Sequence, residues 1–358
     1  MSKILSQDVV RFISFMILRT MGPNCVNRDD LGNFKTTYFG NRERRRISSQ
    51  CIKRNVRKFI NKLLSNANYR THEIPRLLKE ALDSAKTQEV LDRLVKIFSG
   101  KTEGCLLKGY DKYKKSSKIE DLGTYQSTTS LFLSQDEYEF ILEEAKKPLN
   151  EIRPLNDIIK GADKRYGAII ALFGRFMAEC SDMTLEAACS FAHEISTHEV
   201  MSESDYFILE NEKALTTGGG HLGQSSFGTA TTYFHAVLDL ETLRNNLPGF
   251  TPDQIKDIVA GFVEALVKAF PEGRKNSFYA NTLPDYVRID ATSLPISMVS
   301  AFEEPVLSGA NGGYVKNSIK ILEDYRERQM ERGYSVSSSC GGETYKVEEL
   351  VAFARGLC

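Results

Sequence analysis

Several features that would place this chain in a common functional class are missing from its sequence. It has no tryptophan, an absence without a clear functional meaning, and its seven cysteines are scattered without a C-x-x-C pair. That cysteine pattern argues against a disulfide framework or a structural zinc site. The apolar run from Val9 to Met21 is too short to span a bilayer and is interrupted by Arg11 and Arg19. Together these absences predict a protein that is not exported and that stays in a reducing cytoplasm.

The sequence also lacks recognisable catalytic chemistry. The run from His193 to His198 resembles the zinc-protease motif H-E-x-x-H but is one residue too long, so on a helix its histidines would lie about 140° apart. The glycines at 218–223 lack the Lys-Ser/Thr that follows a P-loop. Asp29 and Asp30 are the one acidic pair in the basic region, and a nuclease metal site normally gathers more carboxylates. We therefore predict no enzyme activity, no metal and no cofactor.

Positive charge, by contrast, is concentrated in one segment. The 47 basic and 47 acidic residues of the chain cancel, yet residues 42–62 hold nine basic residues and one acidic residue. This segment therefore carries a net charge of +8, and the rest of the chain balances it with −8. Such asymmetry in a neutral protein indicates one electropositive surface that faces a polyanion.

Apolar residues at helical spacing predict a helix in the same segment. They are Ile52, Val56, Phe59, Ile60 and Leu63. Ser48 or Ser49 is positioned to cap the start of this helix.

The other faces of this helix carry like charges four residues apart, Lys53 with Arg57 and Arg54 with Lys58. Such pairs cost helix stability unless an anion lies nearby, although a solvated basic face would account for a charge run as well. The preceding arginines, 44–46, bring guanidinium groups close to hydroxyls and to the free N–H groups of a helix start. Phosphate binds well in such a place.

The order of strand-like and helix-like segments predicts an α+β fold with a ferredoxin-like β-α-β-β-α-β core and large insertions. The predicted strands are residues 10–18 and 231–240 and a pair at 277–282 and 286–289. The predicted helices, besides the basic one, are residues 184–193, 253–270 and 316–332. Residues 168–176 form a further core segment, residues 67–150 a charged helical insertion, and residues 24–48 a polar loop.

Residues 203–228 are too polar and too rich in glycine to belong to the core. The tip at 218–223 is expected to be mobile in isolation. A segment of this length without a core of its own is normally functional or disordered. Tyr206 and Phe207 at its base favour a function, the alternative being that the two rings cap the domain core.

Several motifs, taken in order, resemble the CasC family, the repeated backbone subunit of the type I-E CRISPR surveillance complex called Cascade. They are CVNRDD (25–30), RISSQ (46–50), KR (53–54), GR (174–175), ISTH (195–198), DYF (205–207), HLG (221–223), SSFG (225–228), LPIS (294–297) and AFE (301–303). The resemblance covers most of the chain and is weakest in the helical insertion and near the last residues.

The resemblance implies a hand-shaped protein with an RRM-like (ferredoxin-like) palm, a helical fingers insertion and a protruding β-hairpin thumb. The implied palm comprises residues 1–66, 151–200 and 230–358, the fingers 67–150 and the thumb 201–229. Several copies would line up along one guide RNA, each thumb folding over the RNA held by the next copy.

The resemblance also implies which residues bind RNA. Those that would hold the guide backbone are Arg28, Lys35, Arg46, Ser48, Gln50, Lys53, Arg54 and Arg57. Arg175 and Phe176 would contact RNA at the palm, and Tyr206, Phe207 and Leu222 would belong to the thumb that displaces a nucleotide. Relatives often have methionine after Gly-Arg, whereas this chain has Phe176 followed by Met177, so either residue remains a candidate for the RNA contact.

The expected partners are a CRISPR guide RNA, target DNA through the guide, other copies of the chain and other Cascade subunits, with no membrane. Phosphate contacts would give affinity without reading sequence, and base pairing with the guide would choose the target. Two alternatives stay open. One is a guide-dependent endoribonuclease backbone subunit of a type III-like complex, and the other is a standalone RRM-like RNA-binding protein.

Overall fold

A computed structural model describes residues 10–64, 68–82, 87–99, 105–116, 118, 125–161, 167–176, 184–210 and 219–358 of the chain. The first of its two compact units consists of the described residues of Met1–Ile60, Cys189–Leu240 and Lys256–Cys358. The second consists of those of Asn61–Ala188 and Glu241–Ile255. The predicted fingers segment, 67–150, falls within the second unit, whereas the predicted palm segment 151–200 is divided between the units at residue 188.

The strands are β1 Phe12–Asn24, β2 Thr36–Phe39, β3 Arg42–Ile47, β4 Asn68–Thr71, β5 Leu131–Ser134, β6 Cys189–Phe191, β7 Glu194–Ser196, β8 Glu203–Glu210, β9 Gly219–Asp239, β10 Tyr286–Thr292 and β11 Val336–Gly342. The α-helices are α1 Ser49–Leu63, α2 Ile74–Ala81, α3 Thr87–Ile97, α4 Tyr110–Ser116, α5 Gln135–Ala145, α6 Leu155–Gly161, α7 Ala168–Phe173, α8 Leu240–Asn246, α9 Pro252–Lys268, α10 Val315–Glu331 and α11 Val347–Gly356. Short 3-10 helices cover Leu149–Glu151 and Val299–Phe302.

β1 is an inner strand of the sheet in the first unit. It pairs antiparallel with β9 on one side and with β10 on the other. The sequence of residues 21–24, MGPN, predicts a break in the strand. That prediction is wrong, because β1 continues to Asn24 with an irregular register between Met21 and Asn24.

Both faces of β1 are covered, which explains why its sequence is apolar without alternation. On one face, Phe15 packs edge-on against Phe262 of α9, with ring centroids 5.7 Å apart. On the other, Met16 and Leu18 belong to a buried cluster that includes Leu322 of α10. The predicted helices at 253–270 and 316–332 thus exist and cover opposite faces of the strand.

Among the described residues, nine strands form one antiparallel sheet. Its order is β11-β10-β1-β9-β7-β3-β2, and β6 and β8 also pair with β9. Leaving out the elements that lie between them, four of these strands and two helices follow one another along the chain as β1, α1, β7, β9, α9 and β10. The protein is therefore an α+β protein with an antiparallel sheet. No helix in the described part of the chain is long and apolar enough to cross a membrane.

Residues 36–47 form a hairpin of β2 and β3 where the sequence predicted only a polar loop. Its two-residue turn has positive φ at both Gly40 (58°) and Asn41 (56°), the geometry that matches the twist of paired strands. A side chain at Gly40 would overlap the backbone oxygen of Glu303. The signal for this hairpin was the Gly-Asn pair between two short runs of β-compatible residues.

Two further predictions are wrong. The predicted helix at 184–193 is replaced by extended backbone, with a bridge between Arg175 and Leu185 and pairing of β6 with β9. The predicted strand at 277–282 does not form, because Arg274 takes a positive φ of 48° and begins a turn there. β10 instead pairs with β1 and β11.

The second unit is largely helical, and the helices α2 to α5 agree with the mainly helical structure predicted for residues 67–150. Its core gathers apolar residues from the stripes seen in the sequence, including Leu78, Leu91, Leu94 and Phe98, all fully buried. The short sheet of β4 and β5 was not predicted. Ser134, the last residue of β5, caps α5.

Candidate nucleic-acid interface

The start of α1 is held by side chains from distant parts of the chain. Asn27 Oδ1 accepts a hydrogen bond from the backbone N–H of Ser48 at 2.7 Å, and His193 Nδ1 accepts one from Ser49 N–H at 3.3 Å. Ser48 Oγ accepts from Cys51 N–H at 3.4 Å, which confirms its predicted capping position. Several N–H groups that the sequence analysis expected to be free for phosphate are therefore engaged within the protein.

Arg44 is buried, contrary to the expectation that all three consecutive arginines present guanidinium groups to phosphate. Its guanidinium donates to the backbone oxygens of Ser196 and Phe302 at 3.1 Å and of Glu303 at 3.0 Å. The side chain therefore ties β3 to β7 and to the segment after the 3-10 helix.

Arg45 is likewise buried, with 1% of its surface exposed. It donates to the backbone oxygen of Gly228 at 2.6 Å, to that of Asn24 at 3.2 Å and to Asn24 Oδ1. Its guanidinium also lies 4.8 Å from the centroid of the Phe34 ring. Burial lowers the pKa of Arg45 to about 10, so the group stays charged near neutral pH. Both arginines thus hold the fold together instead of facing solvent.

Arg46, the third arginine, is half-exposed, and its charge acts on His193 at the start of α1. Burial, and then the neighbouring Arg46 charge, lower the pKa of His193, which is consistent with the ring accepting a hydrogen bond there. Lys35 and Arg54 lie in the same region, near Cys51 in the first turn of α1. Burial, and then Glu194, raise the pKa of Cys51, and the charges of Arg54 and Lys35 oppose that rise. The strand end and the helix start therefore bring three cations together.

Further polar residues extend this region along α1. The Lys53 ammonium lies 5.5 Å from the centroid of the Phe191 ring. Gln50 and Lys58 are exposed, and Arg57 is half-buried. The opposite side of the helix is core, as predicted, since Ile52, Val56 and Ile60 are buried.

Arg28 lies at the start of a tight loop that is fixed from inside. Asp29 Oδ1 accepts hydrogen bonds from the N–H groups of Leu31 at 3.0 Å and Asn33 at 2.8 Å. Arg28 forms a backbone bridge with Phe34, and its side chain is exposed. The Asp29 carboxylate therefore fixes this loop.

Six exposed or half-exposed cations of this region have no carboxylate partner among the described residues. We call this set, Arg28, Lys35, Arg46, Lys53, Arg54 and Lys58, the cationic face. Elsewhere, surface cations are commonly paired, as in Lys146 with Glu143 and Lys346 with Glu349. Positive charge on the cationic face is therefore uncompensated locally, which favours binding of a polyanion.

Arg175 and Phe176 belong to the second unit and differ sharply in exposure. Arg175 is buried and pairs with the buried Glu137 carboxylate at 2.9 Å. Burial raises the pKa of Glu137, and the Arg175 charge opposes that rise. Phe176 has 82% of its surface exposed. Of the two side chains, the Phe176 ring is therefore the one that is accessible to a ligand such as RNA.

The predicted thumb residues lie on the hairpin of β8 and β9. The backbone register pairs Tyr206 with Gln224, Phe207 with Gly223 and Ile208 with Leu222. Tyr206 has 65% of its surface exposed. Of the predicted mobile tip, residues 219–223 are strand, and Gly218 lies outside the described residues.

Among the described residues, no group of three or more His, Cys, Asp or Glu is arranged to hold a metal ion. The arrangement of the first unit instead offers cations, hydroxyls and an amide around a helix start. Such groups bind phosphate oxygens without distinguishing one base from another.

Comparison with known proteins places the chain in a family. The family model described as CT1975-like protein matches residues 13–351. The chain belongs to the CT1975-like protein family. No curated protein matches this CT1975-like chain.

Solved structures with the same fold as this CT1975-like protein are known. One is a chain of a "CRISPR RNA-guided surveillance complex, pre-nicking", with a TM-score of 0.80 and 24% sequence identity over 96% of this chain and 100% of that chain. Another is a chain of a "CRISPR RNA-guided surveillance complex", with a TM-score of 0.70 and 24% identity over 96% of this chain and 99% of that chain. At this identity the likeness establishes a common fold.

The sequence analysis of this CT1975-like protein did not identify Asn27 and His193 as residues of the site. Their role depends on contacts across long sequence separations, which no local pattern reveals. A partial signal existed for Asn27, because Asn is among the residues that tolerate its positive φ of 55°. For His193, the signal was read only as a failed metal motif.

Proposed function

We propose that this chain is a non-catalytic CRISPR RNA-binding backbone subunit of a type I-E Cascade surveillance complex. It would line up in several copies along the guide RNA and present the guide for base pairing with target DNA in antiviral defence. The observation that carries the proposal is the cationic face, whose charges have no carboxylate partner in the described part of the first unit.

The electrostatics favour a strand of phosphates over a small anion. The cationic face extends from the Arg28 loop past Lys35 and Arg46 and along α1 through Arg54, so its charges are spread over several secondary-structure elements. A polyanion that meets several cations releases counterions and binds in a salt-dependent manner. A single phosphate would engage only part of this surface.

The fold supports the same proposal. The succession β1, α1, β7, β9, α9 and β10, with β1 between β9 and β10, has the β-α-β-β-α-β order of an RRM-like palm. The two solved chains of similar fold come from CRISPR RNA-guided surveillance complexes. A guide RNA and other subunits of such a complex are therefore the partners we propose, with the cytoplasm as the compartment.

The hairpin of β8 and β9 is proposed to act as the thumb that folds over RNA held by a neighbouring copy. The exposed Tyr206 ring would contact the RNA together with Phe207 and Leu222. In the second unit, the exposed Phe176 ring would stack against a base, while Arg175 holds its own segment in place through Glu137.

The decisive experiment for the cationic face is a salt titration of RNA affinity. Binding of the purified chain to two RNAs of equal length and unrelated sequence is measured by fluorescence anisotropy between about 50 and 200 mM salt. In the variant Arg28→Gln/Arg46→Gln/Arg54→Gln, affinity should fall equally for both RNAs. The slope of log K against log salt should become shallower by about 2, since each lost phosphate contact on a single strand contributes about 0.7.

A matched control removes three positive charges that have carboxylate partners, with Lys146→Gln/Lys346→Gln/Arg355→Gln. This variant has the same change in net charge and should bind like the original chain. Equal weakening in both variants, or an unchanged slope in the first, would refute the proposed surface.

The endoribonuclease alternative is tested through Asp29. This carboxylate already accepts two backbone hydrogen bonds, which supports a structural role. The chain with bound RNA and Mg²⁺ should leave the RNA intact. Cleavage that disappears in Asp29→Ala while binding persists would establish the enzyme instead.

The standalone alternative is tested by sedimentation with RNAs of increasing length. A backbone subunit should add copies at regular length intervals, and Tyr206→Ala should weaken this cooperative addition more than it weakens binding to a short RNA. One copy per RNA at every length would favour the standalone RNA-binding protein.

A further inference from the structure

The segment that joins α9 to β10, residues 269–285, lies directly against the beginning of the Arg28 loop. A Cβ atom at Gly273 would lie 2.8 Å from the backbone oxygen of Cys25 and 3.0 Å from the Val26 Cα. The two backbones therefore approach as closely as glycine permits. This contact fixes the position of the residues that follow Gly273 beside the cationic face.

The next residues form a turn that is held at both ends. Arg274 has a positive φ of 48°, and its backbone oxygen accepts hydrogen bonds from Ser277 N–H at 2.9 Å and Phe278 N–H at 2.8 Å. Phe278 stacks on Phe227, with ring centroids 5.6 Å apart and planes 25° from parallel. Because Phe227 pairs with Glu203 at the base of the hairpin, the turn connects the Arg28 loop with that base.

This fixed turn presents one cation and one ring to solvent. Tyr279 has 75% of its surface exposed, directly after the anchored Phe278. Arg274 is exposed and has no carboxylate partner among the described residues, whereas the adjacent Lys275 pairs with Glu272 at 3.4 Å. Burial raises the pKa of the Cys25 thiol, and the positive charges of Arg28 and Arg274 both oppose that rise. The two guanidinium groups therefore lie in the same neighbourhood.

We propose that Arg274 and Tyr279 form a second contact for single-stranded nucleic acid, with Arg274 holding a phosphate and Tyr279 stacking on a base. The contact continues the cationic face from Arg28 toward the base of the β8–β9 hairpin. The inference rests on the proposed RNA-binding function and adds a site to it. It differs from the other contacts in being built on the turn before β10.

Chemistry favours nucleic acid over a peptide at this place. An unpaired guanidinium and an exposed ring on one turn, beside a surface already rich in cations, form the combination that binds a strand through its phosphates and through the faces of its bases. An acidic peptide would use the cation but would gain little from the ring. Non-glycine residues at positive φ are uncommon and cost energy, which is consistent with a turn shaped for a contact.

The test uses the purified full chain and an RNA that carries 2-aminopurine at successive positions. Stacking on a tyrosine quenches the fluorescence of this base, so the original chain should quench it at one or more positions. Tyr279→Ala should abolish quenching at the position that stacks on Tyr279, leave quenching at the other positions, and weaken binding by about 5- to 150-fold, the range for loss of one base–aromatic stack. Tyr279→Phe, which keeps the ring, should restore both.

Two matched controls accompany these variants. Tyr38→Ala removes a tyrosine with 76% of its surface exposed on the β2–β3 hairpin and should leave quenching unchanged. Arg274→Gln should make the salt slope shallower by about 0.7, whereas Lys275→Gln should leave it unchanged.

The possible outcomes separate this inference from the proposed function. If the chain binds RNA and the Arg28/Arg46/Arg54 variant binds weakly, but Tyr279→Ala and Arg274→Gln behave like the original chain, the second contact is refuted and the proposed function stands. The second contact is also refuted if Tyr38→Ala produces the same losses. If the original chain shows no salt-dependent RNA binding, the proposed function itself fails.

Discussion

Arg45 and Arg46 are neighbours in one strand, yet Arg45 is buried and Arg46 is half-exposed, and replacing each by methionine separates a structural role from the proposed RNA contact. Methionine fills much of the volume of the arginine stem, and its thioether packs well against an aromatic ring such as Phe34. The change at Arg45 therefore removes hydrogen bonds and charge while largely preserving packing. At Arg46 it removes a half-exposed cation from the cationic face.

The expected loss of stability at Arg45 follows from the groups it leaves behind. Arg45→Met removes a charged donor from the backbone oxygens of Gly228 and Asn24, while Asn24 Oδ1 keeps the N–H of Val26 as a donor. A buried acceptor without a donor costs about 1–3 kcal/mol. Removing the charge offsets part of this cost, because burial disfavours the charged guanidinium, as its lowered pKa shows. We expect a net loss of about 3 kcal/mol.

Thermal unfolding measures the loss of stability in each variant. RNA binding is then measured well below the melting temperature, where both variants are folded. A loss of about 3 kcal/mol should lower the melting temperature by about 6–12 °C, while the folded Arg45→Met protein keeps the salt slope of the original chain. Arg46→Met should stay within about 0.5 kcal/mol in stability and have a salt slope shallower by about 0.7. The reasoning is refuted if Arg45→Met melts like the original chain and loses RNA affinity.

Three further predictions concern stability. Burial lowers the pKa of His235 to about 4 from an ordinary value of 6.5, so the stability that depends on the neutral ring is present above pH 6.5 and is lost as the pH falls toward 4. The free energy of unfolding should fall by about 2 kcal/mol through this residue by about pH 5. Urea titrations should show a smaller fall in the free energy of unfolding for His235→Gln. Arg175→Met leaves the Glu137 carboxylate buried without its cation and should cost about 3–5 kcal/mol, seen in the melting of the second unit. Gly40→Ala should destabilise the chain by more than Gly32→Ala in the same urea assay, because both glycines have positive φ but only at Gly40 does a side chain meet another backbone.

The elements that the sequence predicted well are those whose pattern depends on one local rule. β1 was predictable because its run is mostly apolar and rich in β-forming residues, as expected for a strand covered on both faces, and α1 because its apolar residues repeat at helical spacing. The cationic face was visible as a local excess of charge. In each case the residues that decide the structure are adjacent in the chain.

What the sequence could not reveal depends on pairing between distant residues. Nothing local distinguishes the buried Arg44 and Arg45 from the more exposed Arg46, because their burial depends on backbone oxygens contributed from far along the chain. The residues at 184–193 contain a helix-compatible stretch, but pairing with β9 made strand the better outcome at Cys189–Phe191. At 277–282, the backbone conformation of Arg274 overrode the aromatic β-formers that follow it.

β9 runs without interruption from the hairpin into the sheet, pairing with β8 in its first half and with β1 in its second. Because side chains alternate between the two sides of a strand, the number of residues that separates a hairpin residue from the part of β9 paired with β1 decides on which side its side chain lies. Inserting one residue after Gly228 would turn the hairpin over and exchange its two sides, whereas inserting two would restore the original orientation. A length change in this strand therefore acts as an orientation switch, and only even changes should leave the hairpin facing the way it now does.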